Sequence, residues 1–405
     1  EEGLLWVGTD DGRIHVTRDG GATWESVEDR VPDVPENTWV PHIAPSPHDA
    51  GTAFVVFDDH RRSNMQPYVF RTTEYGRRWT NLTTDAIDGY ALVVEQDLVD
   101  PDLLFLGTEF GLYVSSNAGE EWFQWTHGVP ACSVMDLAIQ PDEHDLVLGT
   151  HGRSAFVIDD VRPLRGLDAE IMAKPLHVFE IPPAQQYWVQ QTAGERFPGA
   201  TEFRGENEPY GALISFVVSG EHLPHPDVEV EEDRREAERA RSEDEVEKSE
   251  DDDAPAKAPT TIEVEILDAG GERIRKIDHD VTLGLNRVVW NLRSDPFRRP
   301  PITSEDDDWL GVGTGPEVLP GEYTAVLRFG DEEVRAQLKV VPDPRVDFSL
   351  ESRRANWETR QRAGRLQETL AEALQRIVDA RADAADVMTR IERVRREARV
   401  DGTEW

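Results

Sequence analysis

One octapeptide constrains this chain more than any other stretch: Thr17-Arg18-Asp19-Gly20-Gly21-Ala22-Thr23-Trp24, of pattern Ser/Thr-x-Asp-x-Gly-x-Thr-Trp. It returns as Thr72-Thr73-Glu74-Tyr75-Gly76-Arg77-Arg78-Trp79 and as Ser115-Ser116-Asn117-Ala118-Gly119-Glu120-Glu121-Trp122, with the tryptophans 55 and 43 residues apart. Repeat periods of this size belong to propellers, solenoids and arrays. The box has the chemistry of a hairpin turn: Asp or Asn bonds the backbone two residues on, Gly supplies a positive-φ position, and Trp opens the returning strand. Asp19, Gly21, Trp24, Glu74, Gly76, Trp79, Asn117, Gly119 and Trp122 are therefore structural residues in this reading, with the tryptophans wedged between neighbouring sheets.

The same parts recur around each box. A strand ending in Gly-Thr precedes a tight turn at Leu5 to Thr9, Leu104 to Thr108 and Leu146 to Thr150. An alternating strand, the box, a short strand and a further apolar strand follow. Four strands per repeat argue for a propeller. With the strands named a, b, c and d, the order is b-c-d, two whole a-b-c-d units, then a-b-c. Propellers typically close with about four to eight blades, so the remaining blades of a longer chain are an expected partner. The chain opens at Glu1-Glu2 and runs at once into a strand, which leaves localisation unknown.

Beyond Asp160 the pattern changes. The fold class expected is mainly β: a partial propeller of two whole and two partial blades (1–165), a proline-rich connector (166–210), an Ig-like β-sandwich (211–345) and a helical hairpin (346–405). The sandwich carries an acidic insert (225–260) read as a disordered loop, because the run from Asp227 to Asp253 holds 15 acids against 5 bases. In the last segment the period switches to about 3.6. Ser349 is the expected N-cap. Leu366, Leu370, Leu374 and Ile377 form one stripe and Val387, Ile391 and Val394 another, joined near Ala380 to Ala385. Apolar on one side only, the hairpin must dock on something.

Charge narrows the partners. Asp plus Glu number 81 against 43 Lys plus Arg, a net −38, which repels nucleic acid and anionic membranes. The acidic insert accounts for −10 of it. Only five of the bases are Lys, and many acids with few lysines resemble the proteins of salt-loving archaea, where screening makes such charge tolerable. Cys132 is the only cysteine, so no disulfide lies within the chain. No run of 18 apolar residues is present, so no membrane-spanning helix is expected.

The three boxes resemble the Asp-box (BNR) repeats of sialidases, xyloglucan-cleaving glycosidases and the sortilin propeller. Gly149 to Asp160 followed by Arg162-Pro163-Leu164 is similar to the last blade of large prokaryotic proteins described as sortilin-like or "glycosyl hydrolase, BNR repeat". Ile266 to Gly271, Gly284 to Arg293 and Leu319 to Tyr323 match the Ig-like module of the flagellar-hook-cap type that follows the propeller in that family. The resemblance implies this architecture. It does not imply an activity, because the hydrolase label rests on a shared propeller.

No catalytic residue is assigned. A glycosidase needs two carboxylates about 5 Å apart for retention or about 6.5–9.5 Å for inversion, and sequence spacing cannot set residues of two blades opposite each other. No nucleophile elbow, phosphate loop or metal-ligand spacing is present, and no cofactor or metal is expected. Blade topology does locate a face. The b–c turns and d–a loops share one end of the blades and the boxes lie at the other. The b–c turns carry Asp10, Asp11, Asp59, His60, Arg61, Glu109, His151 and Arg153, and the d–a loops add Trp39, Tyr90 and Cys132. Binding residues concentrate on loops held by rigid scaffolds, so this face is the candidate site for a peptide or carbohydrate ligand. The plainer alternative is that His151 and Arg153 pack a turn or pair with Asp159 or Asp160, and that the loop from Asp58 to Gln66 is a solvated excursion. The functional expectation is a non-catalytic recognition or scaffold protein. The alternatives are a glycoside hydrolase whose carboxylates sit partly in further blades, and a structural subunit assembled through its helices.

Overall fold

In the computed structural model the first four sheets follow the order read from the sequence. The structure describes residues 2–188, 205–220, 222–245, 259–300 and 314–400, and the chain divides into two units, Glu1–Ala173 with Asp227–Asp233, and Lys174–Pro226 with Arg234–Trp405.

In the first unit β1 (Leu5–Gly8), β2 (Ile14–Thr17) and β3 (Glu25–Ser26) form a three-stranded sheet. Two four-stranded sheets follow: β4 (Trp39–Pro45), β5 (Ala53–Asp58), β6 (Tyr68–Thr73) and β7 (Arg78–Asn81), then β8 (Ala91–Gln96), β9 (Leu104–Thr108), β10 (Gly111–Ser115) and β11 (Phe123–Trp125). A last sheet holds β12 (Val134–Ile139), β13 (Leu146–Thr150) and β14 (Ala155–Ile158). All pair antiparallel between sequence neighbours, and the leading strands meet: β4 lies against β1 and β8, and β8 against β12.

Packing between sheets explains the residue choice. β5 reads Ala-Phe-Val-Val-Phe-Asp because both of its faces are covered. Val55 and Phe57 join Ile14, Val16, Val27 and Val40 on the side of the first sheet. Phe54 and Val56 join Val94, Leu104, Leu106 and Trp122 on the side of the third. The Gly-Thr endings mark where the next sheet crosses. A Cβ on Gly8 would stand 2.5 Å from Val40 Cγ1, and one on Gly107 2.7 Å from the Val134 carbonyl oxygen.

The boxes are self-contained turns. Thr17 Oγ1 donates to Asp19 Oδ1 (2.7 Å) and accepts from Gly21 N (3.0 Å), while Thr23 N donates to Asp19 Oδ1 (2.8 Å). The Thr23 hydroxyl and amide, with the Thr17 hydroxyl, hold the Asp19 carboxyl down to about 2. Ser115, Asn117, Gly119 and Glu121 repeat the arrangement. Glu74 cannot, its carboxylate being one methylene too long, and it pairs with Arg78 at 2.9 Å instead. The three tryptophans part company with the expectation that all are wedged. Trp122 is 3% exposed and donates from Nε1 to the Leu82 carbonyl at 2.9 Å. Trp79 is half-buried and packs near Phe70. Trp24 is 44% exposed, because the first sheet has no sheet on its outer side among the described residues.

The second unit starts earlier than the proline-rich reading allowed. After the short helix α1 (Ala169–Met172) of the first unit, β15 (Leu176–Val178) and β16 (Ala184–Gln185) enter its two sheets. β17 (Ala212–Val218) precedes the helix α2 (Val228–Glu245). Where a disordered loop was expected, this helix occupies much of the acidic run; Glu231 and Arg235 stand four apart in it, a spacing that supports a helix. Residues 246–258 of that run lie outside the described residues. Then come β18 (Thr261–Leu267), β19 (Arg273–Asp280), β20 (Gly284–Trp290), β21 (Gly321–Phe329) and β22 (Glu332–Val341). The sheets, β15-β17-β20 and β16-β22-β21-β18-β19, close on one core that includes Phe216, Ile262, Val264, Ile266, Trp290, Leu327 and Leu338. Alternation along β18 places Ile262, Val264 and Ile266 on one face, and all three side chains are fully buried there.

The last described element is one continuous helix, α3 (Leu350–Val400), where a hairpin was expected. Ala380 to Ala385 is alanine-rich and free of Gly and Pro, so it propagates the helix. Ser349 caps it as read, accepting from Ser352 N at 3.1 Å. Gly364 lies under the Phe297 ring, where a Cβ would meet ring carbon at 2.0 Å, and one turn on the Gln367 side chain donates to the Arg298 carbonyl.

Candidate functional site

The turn between β5 and β6 is a short 3-10 helix, His60–Arg62, closed by Ser63 in the left-handed region (φ 64°). Buried carboxylates hold it. Asp58 Oδ1 accepts from His60 N at 2.9 Å, and the His60 ring Nδ1 lies 2.7 Å from the same carboxylate. Asp59 takes the Arg62 guanidinium and the Asn64 amide, and Arg62 reaches across to the Glu36 carbonyl and the Thr38 hydroxyl, both at 2.8 Å. Asp59 is thus a brace of the loop, and what it presents is the pair between it and Arg62.

From this base a row of rings and charges crosses the face. Arg61 sits 4.9 Å over the Trp39 ring, a cation–π geometry. His60 stacks on Tyr90 with centroids 4.4 Å apart. The Tyr90 hydroxyl donates to Glu109 Oε2 at 2.7 Å. Burial, then the Glu109 bond and charge, push the Tyr90 phenol well above its ordinary range, so it stays protonated as a donor. His60, Arg61 and Glu109 come together as read, with Trp39 and Tyr90 between them. Asp11 instead lines a separate recess of 370 Å³, with Arg13, Glu28, Asn37 and Phe57 among its other walls, and Asp10 stands exposed beside it on the β1–β2 turn. The Thr9 hydroxyl and Arg13 hold the Asp11 carboxyl below its usual value. His151 and Arg153 stand exposed on the β13–β14 turn. Asp160 pairs with Arg162.

The structure adds a cluster absent from the sequence reading. His42, Glu95 and Asp136 are the only ionisable residues of β4, β8 and β12, and the meeting of these strands brings Asp136 within electrostatic range of both His42 and Glu95. Burial, and next the Asp136 charge, push the Glu95 carboxyl up to about 7. Burial lowers His42, opposed by Asp136 and by the Val94 backbone. His42 Nδ1 is buried without a hydrogen-bond partner. The available signal was one charge interrupting each of three apolar strands. A carboxyl that burial raises toward neutrality has the character of a general acid. Among the described residues no group of three His, Cys, Asp or Glu is placed to hold a metal ion, and no helix is long and apolar enough to cross a membrane.

No protein-family model matches the chain, and no curated protein matches it. Among solved structures it is similar to a GH74 enzyme of Niastella koreensis, at 18% identity over 39% of this chain and 27% of that one, with a TM-score of 0.35. It is similar to YCF48 bound to D1 peptide at 16% identity, over 39% of this chain and 49% of that one, TM-score 0.30. The GH74 xyloglucanase from Xanthomonas campestris aligns at 14% identity, over 82% of this chain and 47% of that one, TM-score 0.30. The chain therefore spans less than half the length of each of these proteins, and at such scores the likeness carries no argument about function.

Proposed function

We propose that this chain is a recognition protein, binding a peptide or glycan on the face formed by the β5–β6 and β9–β10 turns and the loops that lead into β4 and β8. The observation that carries this reading is the row Arg61–Trp39, His60–Tyr90, Glu109. The His60 ring is held by the buried Asp58 carboxylate, and Glu109 is bonded to the Tyr90 hydroxyl. Such a surface suits stacking and hydrogen bonding to a ligand more than proton transfer. The test is a screen of glycans and peptides against the chain in molar salt, where self-repulsion of the −38 charge is screened. Binding that falls at least about tenfold in Trp39→Ala and in Tyr90→Ala supports the reading. Binding indifferent to both substitutions refutes it.

A second reading, glycoside hydrolysis, draws on a different observation: the Glu95 acid raised to about 7 beside Asp136. In it Glu95 protonates the leaving oxygen and Asp136 serves as the carboxylate partner. Polysaccharide cleavage abolished by Glu95→Gln, with the fold intact, would establish it in place of the first.

A further inference from the structure

The first half of α3 is docked through one stripe. Trp357 packs against the core of the second unit, Gly364 lies under Phe297, and Ala371 is fully buried. These positions are seven apart and share a face. A different face carries a second stripe with alternating spacings of four and three: Leu366, Leu370, Ala373, Ile377, Ala380, Ala384, Val387, Ile391 and Val394. That is an uninterrupted heptad pattern, the signature of a helix that packs on another helix. The large residues of this stripe, with Leu374 and Met388 beside it, are 40–64% exposed.

We infer that this face of α3 is a self-association surface, on which a second copy of the chain lays the same stripe antiparallel. Three observations single out a second copy. Running antiparallel about position 382, the stripe sets Leu370 against the partner's Val394, Ala373 against the partner's Ile391, and Ile377 against the partner's Val387. Large residues thereby meet smaller ones, and Leu374 falls beside the partner's Met388. A parallel pairing stacks alanine on alanine at three levels, leaving gaps that the bulkier layers hold open, whereas the antiparallel one does so only where Ala380 and Ala384 meet and fills the level of Ala373 with Ile391.

Charge gives the second observation. Residues 366–396 hold six acids and six arginines, net zero in a chain of −38, so self-repulsion is least here. The acids Glu368 and Glu372 occupy one end and Arg393, Arg395 and Arg396 the other. Antiparallel pairing brings opposite charges together, and parallel pairing brings like charges together.

Area gives the third. At about 100 Å² per fully buried aliphatic side chain, covering eight half-exposed ones on both copies removes roughly 900 Å² of apolar surface. With interfaces about 60% apolar, the total is roughly 1,500 Å², within the range of stable dimers.

The test uses the full chain at about 1 M salt, where the Debye length is about 3 Å. Light scattering is expected to report a dimer at tens of micromolar, and Ile377→Asp, a change at an exposed position, is expected to yield a monomer with unchanged circular dichroism. In a Cys132→Ser background, a mixture of Ala380→Cys and Ala384→Cys chains is expected to cross-link at least about tenfold more than either alone, since a disulfide forms only between closely apposed Cβ atoms. A monomeric parent chain, or an Ile377→Asp chain that still dimerises, overturns the proposal. Cross-linking of Ala380→Cys alone that matches the mixture overturns the antiparallel arrangement.

Discussion

Replacing Glu95 by Gln is expected to stabilise the first unit at alkaline pH and to leave it unchanged at acid pH. A carboxyl normally has a lower pKa when folding gives it a cation or amide partner; Glu95 gains burial and the Asp136 charge instead. Its carboxyl rises from the ordinary value of 4.5 to about 7. The folded state therefore holds a proton that the unfolded chain gives up near pH 4.5. Below that pH both states are protonated and no difference arises. As pH rises from about 4.5 to about 7 the unfolded state gains relative to the folded one, and above about 7 the full cost is present. That difference corresponds to about 3 kcal/mol. Glutamine has nearly the same shape and no charge, so the variant escapes this cost. For a unit of this size, about 2–4 °C per kcal/mol gives a melting temperature roughly 6–12 °C above the parent at about pH 8, falling to no difference at about pH 4. Both proteins carry the same large background charge, so the difference between their pH curves isolates Glu95. Asp136→Asn should recover part of the gain by removing the second contributor. A Glu95→Gln variant whose advantage is flat across that pH range, or which is less stable at alkaline pH, refutes the account of the cluster.

Other perturbations test the packing. Asp97 is buried and receives both Arg165 nitrogens at 2.8 and 2.9 Å and the amides of Val99 and Asp100; Asp97→Ala strands the guanidinium and should cost about 3–5 kcal/mol in denaturant unfolding of the first unit. Burial raises the Asp97 carboxyl, but Arg165 and the amides more than offset this and leave it below its ordinary value, so its contribution is present above about pH 4 and is lost as pH falls further. Trp122→Ala should cost about 3–5 kcal/mol and Trp24→Ala under about 1.5 kcal/mol, although both belong to the same kind of box. Gly364→Leu should release the start of α3 from Phe297, read as faster amide exchange over residues 350–371 without a change in the sheets.

The four sheets were legible because each strand boundary carries chemistry that only one backbone geometry satisfies. Gly8 and Gly107 are required where the next sheet crosses, and the Thr17–Asp19 and Ser115–Asn117 pairs close their own turns. The helices were less legible. Ala380 to Ala385 reads as a joint because the leucines thin out there, yet alanine is the strongest helix former and nothing in that run breaks it. The charges from Val228 to Glu245 read as a solvated run because net charge hides the i,i+4 spacing of opposite signs. β15 and β16 are hidden among prolines, since strands of two or three residues at a sheet edge need little apolar pattern. On the candidate face, His60, Arg61 and Glu109 could be named from turn topology alone. His42, Glu95 and Asp136 could not be grouped, because their proximity depends on how three separate sheets approach one another.

The approach of the sheets also fixes how the first unit can come apart. Each sheet packs chiefly on its sequence neighbours, and each box is closed by bonds within eight residues. Opening among these four sheets is therefore a one-dimensional process in which a sheet with one such neighbour loses one interface and a sheet between two must lose both. Amide exchange should be slowest in β5 and β9 and should quicken towards β1 and β14, so that the chain loosens from its outer sheets inward while the row on Trp39 and Tyr90 is among the last surfaces to be lost.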